Sequence, residues 1–316
     1  MTETKILFAT DVHGGETFFG KILSVAKSFK VNILLISGDL TGKAIVPIVR
    51  DNDGLYFTSF FGVNYTDVKE DELPSIEDKV RRVGYYSFRC SLKEYEGFKA
   101  EPKRIDELFR QLIQDTLNNW IQKIETILPA DVRVIMNPGN DDDFAVDEVL
   151  KKSKRVEYTI ERAVDLDDHH QMVGCEWVNP TPWNSPRECT EEVLEKKLRT
   201  EMGRVSDMTN LVCDIHAPPY DTPLDLAPRL NKNLQPKTFI GQPVYDHVGS
   251  KSVRKIFREY QPLLGLHGHI HESASKCNIG RTICVNPGSE YNEGIMHGYI
   301  LTLTPTNVDC QPVIGG

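Results

Sequence analysis

Lys5-Ile6-Leu7-Phe8-Ala9-Thr10-Asp11-Val12-His13 sets a pattern that Val31-Asn32-Ile33-Leu34-Leu35-Ile36-Ser37-Gly38-Asp39 follows. Each stretch is a short apolar run that stops at a carboxylate. Runs without polar alternation read as strands covered on both faces. Between them, Thr17 to Phe29 spaces Phe18, Ile22, Leu23, Val25, Ala26 and Phe29 as one face of a helix. Strand, helix, strand is the unit of an α/β fold. Further strands are predicted at Val132 to Met136, Leu211 to Ile215, Leu263 to Leu266, Thr282 to Val285 and Tyr299 to Leu303. The alternation of strand and helix weakens after Asn140, which predicts a mixed sheet rather than a purely parallel one.

The longest helix is predicted from Lys103 to Leu128. Ile105, Leu108, Phe109, Leu112, Ile113, Leu117, Trp120, Ile121, Ile124 and Leu128 follow its three-four spacing, and the stripe reads as core. Pro102 and Pro129 flank it where proline is tolerated. Residues 43–99 interrupt the alternation with Tyr56, Phe57, Phe60, Phe61, Tyr65, Tyr85, Tyr86, Phe88, Tyr95 and Phe98. So long a stretch without structure is unusual inside a domain. It is expected to be an insertion with its own small fold in a single-domain chain. Its aromatics would form a mini-core or a homo-oligomer contact, or the segment would cap a site.

The chain has 316 residues, 40% apolar and 26% charged, an ordinary globular composition. No apolar stretch is long enough for a membrane span and no secretory leader is visible, so a membrane partner is not expected. Seven cysteines (Cys90, Cys175, Cys189, Cys213, Cys277, Cys284 and Cys310) form no Cys-x-x-Cys pair. An odd, scattered set argues against a disulfide framework or thiolate zinc and fits a cytoplasmic location. The net charge of −9 argues against a surface built to grip nucleic-acid backbone.

The chemistry lies at the strand ends. Asp11-Val12-His13 follows the first strand, Gly38-Asp39 the second and Gly139-Asn140-Asp141 the third. His216-Ala217-Pro218-Pro219 and His267-Gly268-His269-Ile270-His271 follow two later ones. Strand ends are where sites assemble in α/β sheets. Each piece alone is common; five in series point to a metal site. Oxygen and imidazole donors without thiolate suit Mn, Fe, Zn and similar ions.

The series Asp11-x-His13, Gly38-Asp39, Gly139-Asn140, His216 and Gly268-His269-x-His271 resembles the calcineurin-like metallophosphoesterase superfamily. Val285-Asn286-Pro287-Gly288-Ser289 is similar to a run found in many members. The resemblance implies a four-layer α/β/β/α sandwich: two mixed β-sheets flanked by helices. It also implies that Asp11, His13 and His271 hold one metal, that Asn140, His216 and His269 hold another, and that Asp39 bridges them. Two divalent or trivalent ions are implied, manganese first, with iron, zinc or nickel as alternatives. The implied reaction is hydrolysis of a small phosphate monoester or diester, nucleotides included, by metal-bound hydroxide without a covalent enzyme intermediate. A non-catalytic scaffold of the same fold is the alternative, but it has no need of a complete ligand set.

One departure stands out. Many members follow Gly-Asn with a histidine that protonates the leaving oxygen; here Asp141 takes that place, followed by Asp142 and Asp143. Asp39, Asn140 and Asp141 are the catalytic candidates. Asn140 can bind metal through its oxygen and offer an N–H to phosphate. His267, two residues before His269, is a second candidate for substrate contact by strand alternation, and Tyr220, just past Pro219, a third. Asp165, Asp167, Asp168, His169 and His170 read as a solvated loop, and His247 and His297 as structural.

Overall fold

The computed structural model describes residues 3–315. Its first elements are β1 (Thr4–Ala9), α1 (Glu16–Phe29) and β2 (Ile33–Ser37). The inserted segment then builds β3 (Ile45–Arg50), β4 (Tyr56–Phe60), β5 (Val63–Val68), α2 (Leu73–Arg82), β6 (Tyr86–Ser91) and α3 (Leu92–Ala100). The chain returns through α4 (Pro102–Ile127), β7 (Arg133–Asn137) and α5 (Ala145–Lys152). The second half opens with β8 (Val164–Asp165), β9 (Gln171–Cys175), α6 (Glu191–Met202) and β10 (Leu211–Ile215). A small excursion holds β11 (Leu226–Pro228), β12 (Thr238–Phe239), β13 (Gln242–Pro243) and β14 (Tyr245–His247). Then come α7 (Lys251–Tyr260), β15 (Leu264–Leu266), β16 (Ser275–Ile279), β17 (Thr282–Asn286), β18 (Met296–Thr304) and β19 (Asn307–Gly315).

Two mixed sheets result, ordered β19-β18-β1-β2-β7 and β16-β17-β15-β10-β9-β8. In the first, β1, β2 and β7 are parallel, β18 is antiparallel to β1, and β19 is antiparallel to β18. In the second, β9, β10, β15 and β17 are parallel, with antiparallel strands at both edges. Side-chain alternation explains the layers. Ile6, Phe8, Ile33 and Leu35 face the second sheet and meet Met172, Val212, Leu264 and Val285. Leu7, Ala9, Leu34 and Ile36 face outward onto Phe18 and Ile22 of α1 and Trp120 of α4. Val173, Cys213 and Ile215 face α6 and α7 through Leu194, Leu198, Val253 and Phe257. The order is therefore α/β/β/α, the sandwich that the motif resemblance implies.

The α4 stripe is core only in its later turns. Ile113, Leu117, Trp120 and Ile124 are buried, whereas Ile105 is 40% exposed because the first turns run beside the insertion. Trp120 stacks on Phe19 at 4.1 Å, and its Nε1 donates to Glu16 Oε2. The inserted strands form their own sheet, β5-β4-β3-β6, over Ile48, Tyr56, Val68, Leu73 and Ile76. Its core is thus mainly aliphatic, and most of the segment's aromatics lie outside it. Within 165–170, read as a solvated loop, His170 is buried and its Nδ1 lies 2.8 Å from Asp167, closing the turn between β8 and β9. His247 likewise has a partner, Asp225, at 2.7 Å. All seven cysteines are free. No helix among the described residues is long and apolar enough to cross a membrane.

The loops that carry the strand-end motifs are tied together by Asp142, which is fully buried. Its Oδ1 accepts from Thr41 N and Thr41 Oγ1, and its Oδ2 from Leu40 N and Gly139 N, all at 2.6–2.9 Å. The loop after β2 is thereby fixed to the loop after β7. Removing the carboxylate strands buried donors, each costing about 1–3 kcal/mol. Asp142→Ala should lower stability by about 3 kcal/mol or more in a urea titration. A change below about 0.5 kcal/mol would contradict the clamp.

Candidate metal centre

The ligand-type residues sit at the C-terminal ends of β1, β2, β7, β10 and β15, all parallel within their sheets. To reach one another, the chain bends sharply as each strand ends. Asp11, His13, Asp39 and His269 adopt left-handed backbone, with φ of 53°, 45°, 45° and 69°. This costs about 1–2 kcal/mol per residue with a Cβ and persists where the surroundings hold it. Two glycines make the approach feasible. A Cβ at Gly139 would overlap Asp39, and one at Gly268 would overlap Thr10 and crowd the Asp11 carboxylate. The glycines of these two motifs are therefore the surfaces on which another motif's carboxylate rests, and Gly38 likewise receives the His216 ring.

The donors fall into groups whose ligand atoms all lie within 4.8 Å of one another: Asp11 with His13 and His271, and Asp39 with His216 and His269. In the first, His271 Nε2 lies 3.5 Å from Asp11 Oδ1 and 3.0 Å from His13 Nε2. In the second, His216 Nε2 lies 3.4 Å from Asp39 Oδ2 and 3.1 Å from Asn140 Oδ1. Asp39 Oδ2 is also 3.6 Å from His13 Nε2, so this carboxylate stands between the groups. Asp141 joins His13 and Asp39 in a third grouping.

Burial leaves His13 and His269 with lone pairs, whereas at His216 burial is outweighed by the Asp39 and Asp11 carboxylates, which push the pKa up to about 9. Burial depresses His13 well below the usual histidine range, with the Lys43 ammonium adding to the effect. His269 is lowered to about 3, by burial first and by His216 second. Burial opposes ionisation of Asp11, but the hydrogen bond and charge of His271 outweigh it and lower its pKa. Asp39 is pushed up to about 6 by burial despite His216 beside it. His13 Nδ1 and His216 Nδ1 are buried without a hydrogen-bond partner. Imidazoles and carboxylates turned on a common space, with no thiolate among them, fit hard-to-borderline cations.

The remaining candidates divide. Asn140 brings its oxygen to His216, but both amide hydrogens are engaged, donating to Asp141 Oδ1 at 2.9 Å and Ser185 Oγ at 2.7 Å. The free N–H expected for phosphate is not available in this arrangement. His267 faces the other way. Leu266 points into the intersheet core, so the next side chain goes to the helix side, and its ring packs on Phe257 at 5.4 Å. Only the left-handed turn at His269 brings the chain back, which strand alternation cannot foresee. His267 Nδ1 donates to the Ile215 and Ala217 carbonyls at 2.8 and 3.0 Å, fixing the backbone on both sides of His216. Tyr220 also misses the cluster: its ring lies against His247 and beneath Lys251.

Residues without a sequence signal complete the centre. Lys43 Nζ pairs with Asp141 Oδ2 at 2.9 Å. Tyr291 places its ring 4.7 Å from that of His13 and 5.8 Å from that of His271. A lone loop lysine and a tyrosine just past Asn286-Pro287-Gly288-Ser289 announce nothing by spacing. That run braces the backbone of the site. Ser289 Oγ donates to the Asp11 carbonyl at 2.7 Å and Asn286 Nδ2 to that of Ile270 at 2.9 Å.

No protein-family model matches the chain. A protein of Methanocaldococcus jannaschii, described as uncharacterized, is 35% identical over 158 residues, 49% of this chain and 64% of that relative. The match thus spans under two thirds of the relative's length. One solved structure aligns over 98% of this chain and 99% of its own at 16% identity, with a TM-score of 0.58. The crystal structure of TT1561 of Thermus thermophilus aligns over 98% of each chain at 13% identity, with a TM-score of 0.51. At such identities the likeness is one of fold. The fold is shared with those structures, and the ordered strand-end motifs with their paired donor groups resemble those of the calcineurin-like metallophosphoesterase superfamily.

Proposed function

We propose that the chain is a metal-dependent phosphoesterase with a dinuclear centre, cleaving a small phosphate monoester or diester by direct attack of water. The observation that carries this reading is the Asp39 carboxylate standing between the two donor sets, within 3.6 Å of His13 and 3.4 Å of His216. Asp11, His13 and His271 would hold one ion, and Asn140, His216 and His269 the other, with Asp39 contacting both. Two bound cations, manganese foremost and iron, zinc or nickel as alternatives, supply Lewis-acid charge that brings the pKa of water towards about 7.

The chain's own groups do the rest. Neutral His13 and His269 offer lone pairs instead of competing protons. Asp142, Asn286 and Ser289 hold the loops, so little reorganisation accompanies charge development. Lys43, partly exposed beside Asp141, gives an anionic ester a cation to approach.

Asp39→Ala should remove bound metal and lower turnover at least a hundredfold, on the order of what loss of a preorganised electrostatic group costs. Elemental analysis with kinetics checks this; two retained metals with normal turnover would refute the assignment.

Both oxygens of Asp141 already accept, from Lys43 and from Asn140, which supports an acceptor role. General-acid help is worth roughly 10²–10⁴ in rate, so a centre without it should favour esters whose leaving group departs unaided. Aryl phosphate esters should turn over much faster than alkyl ones, with a steep negative dependence on leaving-group pKa. A flat dependence that steepens in Asp141→Asn would show Asp141 acting as the acid.

A further inference from the structure

The inserted sheet reaches the metal centre through one loop. A Cβ on Gly84, in the turn before β6, would overlap the His13 carbonyl and stand 3.3 Å from the Tyr291 ring. The loop thus rests on the backbone of a candidate ligand. The next residue, Tyr85, is half-buried, and its ring meets Phe60 at 5.8 Å and Phe61 at 5.6 Å. Phe60 and Phe61 are 4.5 Å apart. Tyr291 stands beside His13 and His271, the Gly84 loop rests against it, and from the next residue Tyr85 the rings run on to the end of the β4–β5 hairpin.

The outermost ring is placed against local preference. Phe61 and Gly62 form the hairpin turn, with φ of 47° and 74°. Two-residue turns with both φ positive favour Asn or Gly, and bulky residues rarely adopt them. Phe61 is nevertheless 65% exposed and takes no part in the insertion's core of Ile48, Tyr56, Val68, Leu73 and Ile76. Folding does not account for this ring.

Charge defines what suits such a surface. The loop that carries Tyr85 rests on a centre rich in cation ligands, with the Lys43 ammonium at the root of the insertion. A ligand fitting both parts carries an anion at one end and a flat, uncharged face at the other. We propose that Tyr85, Phe60 and Phe61 form a stacking platform for the nucleobase of a nucleotide-type ester whose phosphate lies at the metal centre beside Lys43. This rests on the phosphoesterase reading and adds the substrate class to it. Bases of any sequence stack on aromatic side chains, so the platform selects for a base over none and discriminates little between bases.

Titration calorimetry on the full chain loaded with manganese tests it, using inorganic phosphate, ribose 5-phosphate and adenosine 5′-monophosphate. The nucleotide should bind roughly 5- to 150-fold more tightly than ribose 5-phosphate, the range expected for one stacked base. Phe61→Ala, at an exposed turn, and Tyr85→Leu, which keeps bulk, should bring that ratio close to one and leave ribose 5-phosphate binding unchanged. Equal affinities in the wild type, or a ratio that survives both substitutions, would overturn the platform. So would a dimer that dissociates in Phe61→Ala during sedimentation with the ratio intact, since the rings would then serve a second copy of the chain. If phosphate itself fails to bind, the phosphoesterase reading falls and this proposal falls with it.

Discussion

Three carboxylates and four imidazoles meet within a few ångströms at the end of the sandwich, and the neighbouring structure answers to that crowding. Each group, buried alone, would lose its hydration without return. Gathered together they repel as well as attract, so the fold has to hold them. The left-handed turns at Asp11, His13, Asp39 and His269 aim the side chains inward. Asp142, Ser289 and Asn286 occupy the backbone donors and acceptors that those turns expose. Below the cluster, Ser37 and Asn137, each the last residue of its strand, donate to Asp214 of the other sheet at 2.6 and 2.7 Å. The sheets are stitched together at the end where the donors emerge.

A second buried charge secures the loop after β7. The Arg187 side chain is 1% exposed, donates to Asp147 Oδ1 at 2.7 Å and to the Asp142 carbonyl, and lies over the Phe144 ring. Ser185, two residues earlier, accepts from Asn140. One short segment between β9 and α6 thus steadies both a candidate ligand and the loop bearing it. Breaking such a buried pair is costly because the partner left behind stays desolvated.

The strands that end in ligands were legible because burial on both faces leaves plain apolar runs, as in Leu211–Ile215, whose predicted and observed limits coincide. What escaped carries weaker patterns. α6 presents only Leu194, Leu198 and Met202 to the core among charged neighbours. β9 is short and contains Gly174, and β19 is an edge strand with Pro312, where proline is tolerated. At the site, residue type and strand-end position marked the seven metal-ligand candidates. They did not mark Lys43 or Tyr291, which arrive through tertiary packing, and they misdirected His267 because a local left-handed turn overrides alternation.

The candidate ligands leave the chain from Thr41 to Gly139 free of any member of their set. That interval contains the whole inserted sheet and α4, yet both of its ends are pinned by Asp142. The inserted sheet, with a core of its own in Ile48, Tyr56, Val68, Leu73 and Ile76, therefore hangs from a fixed socket, while α4 and β7 in the same interval remain part of the sandwich.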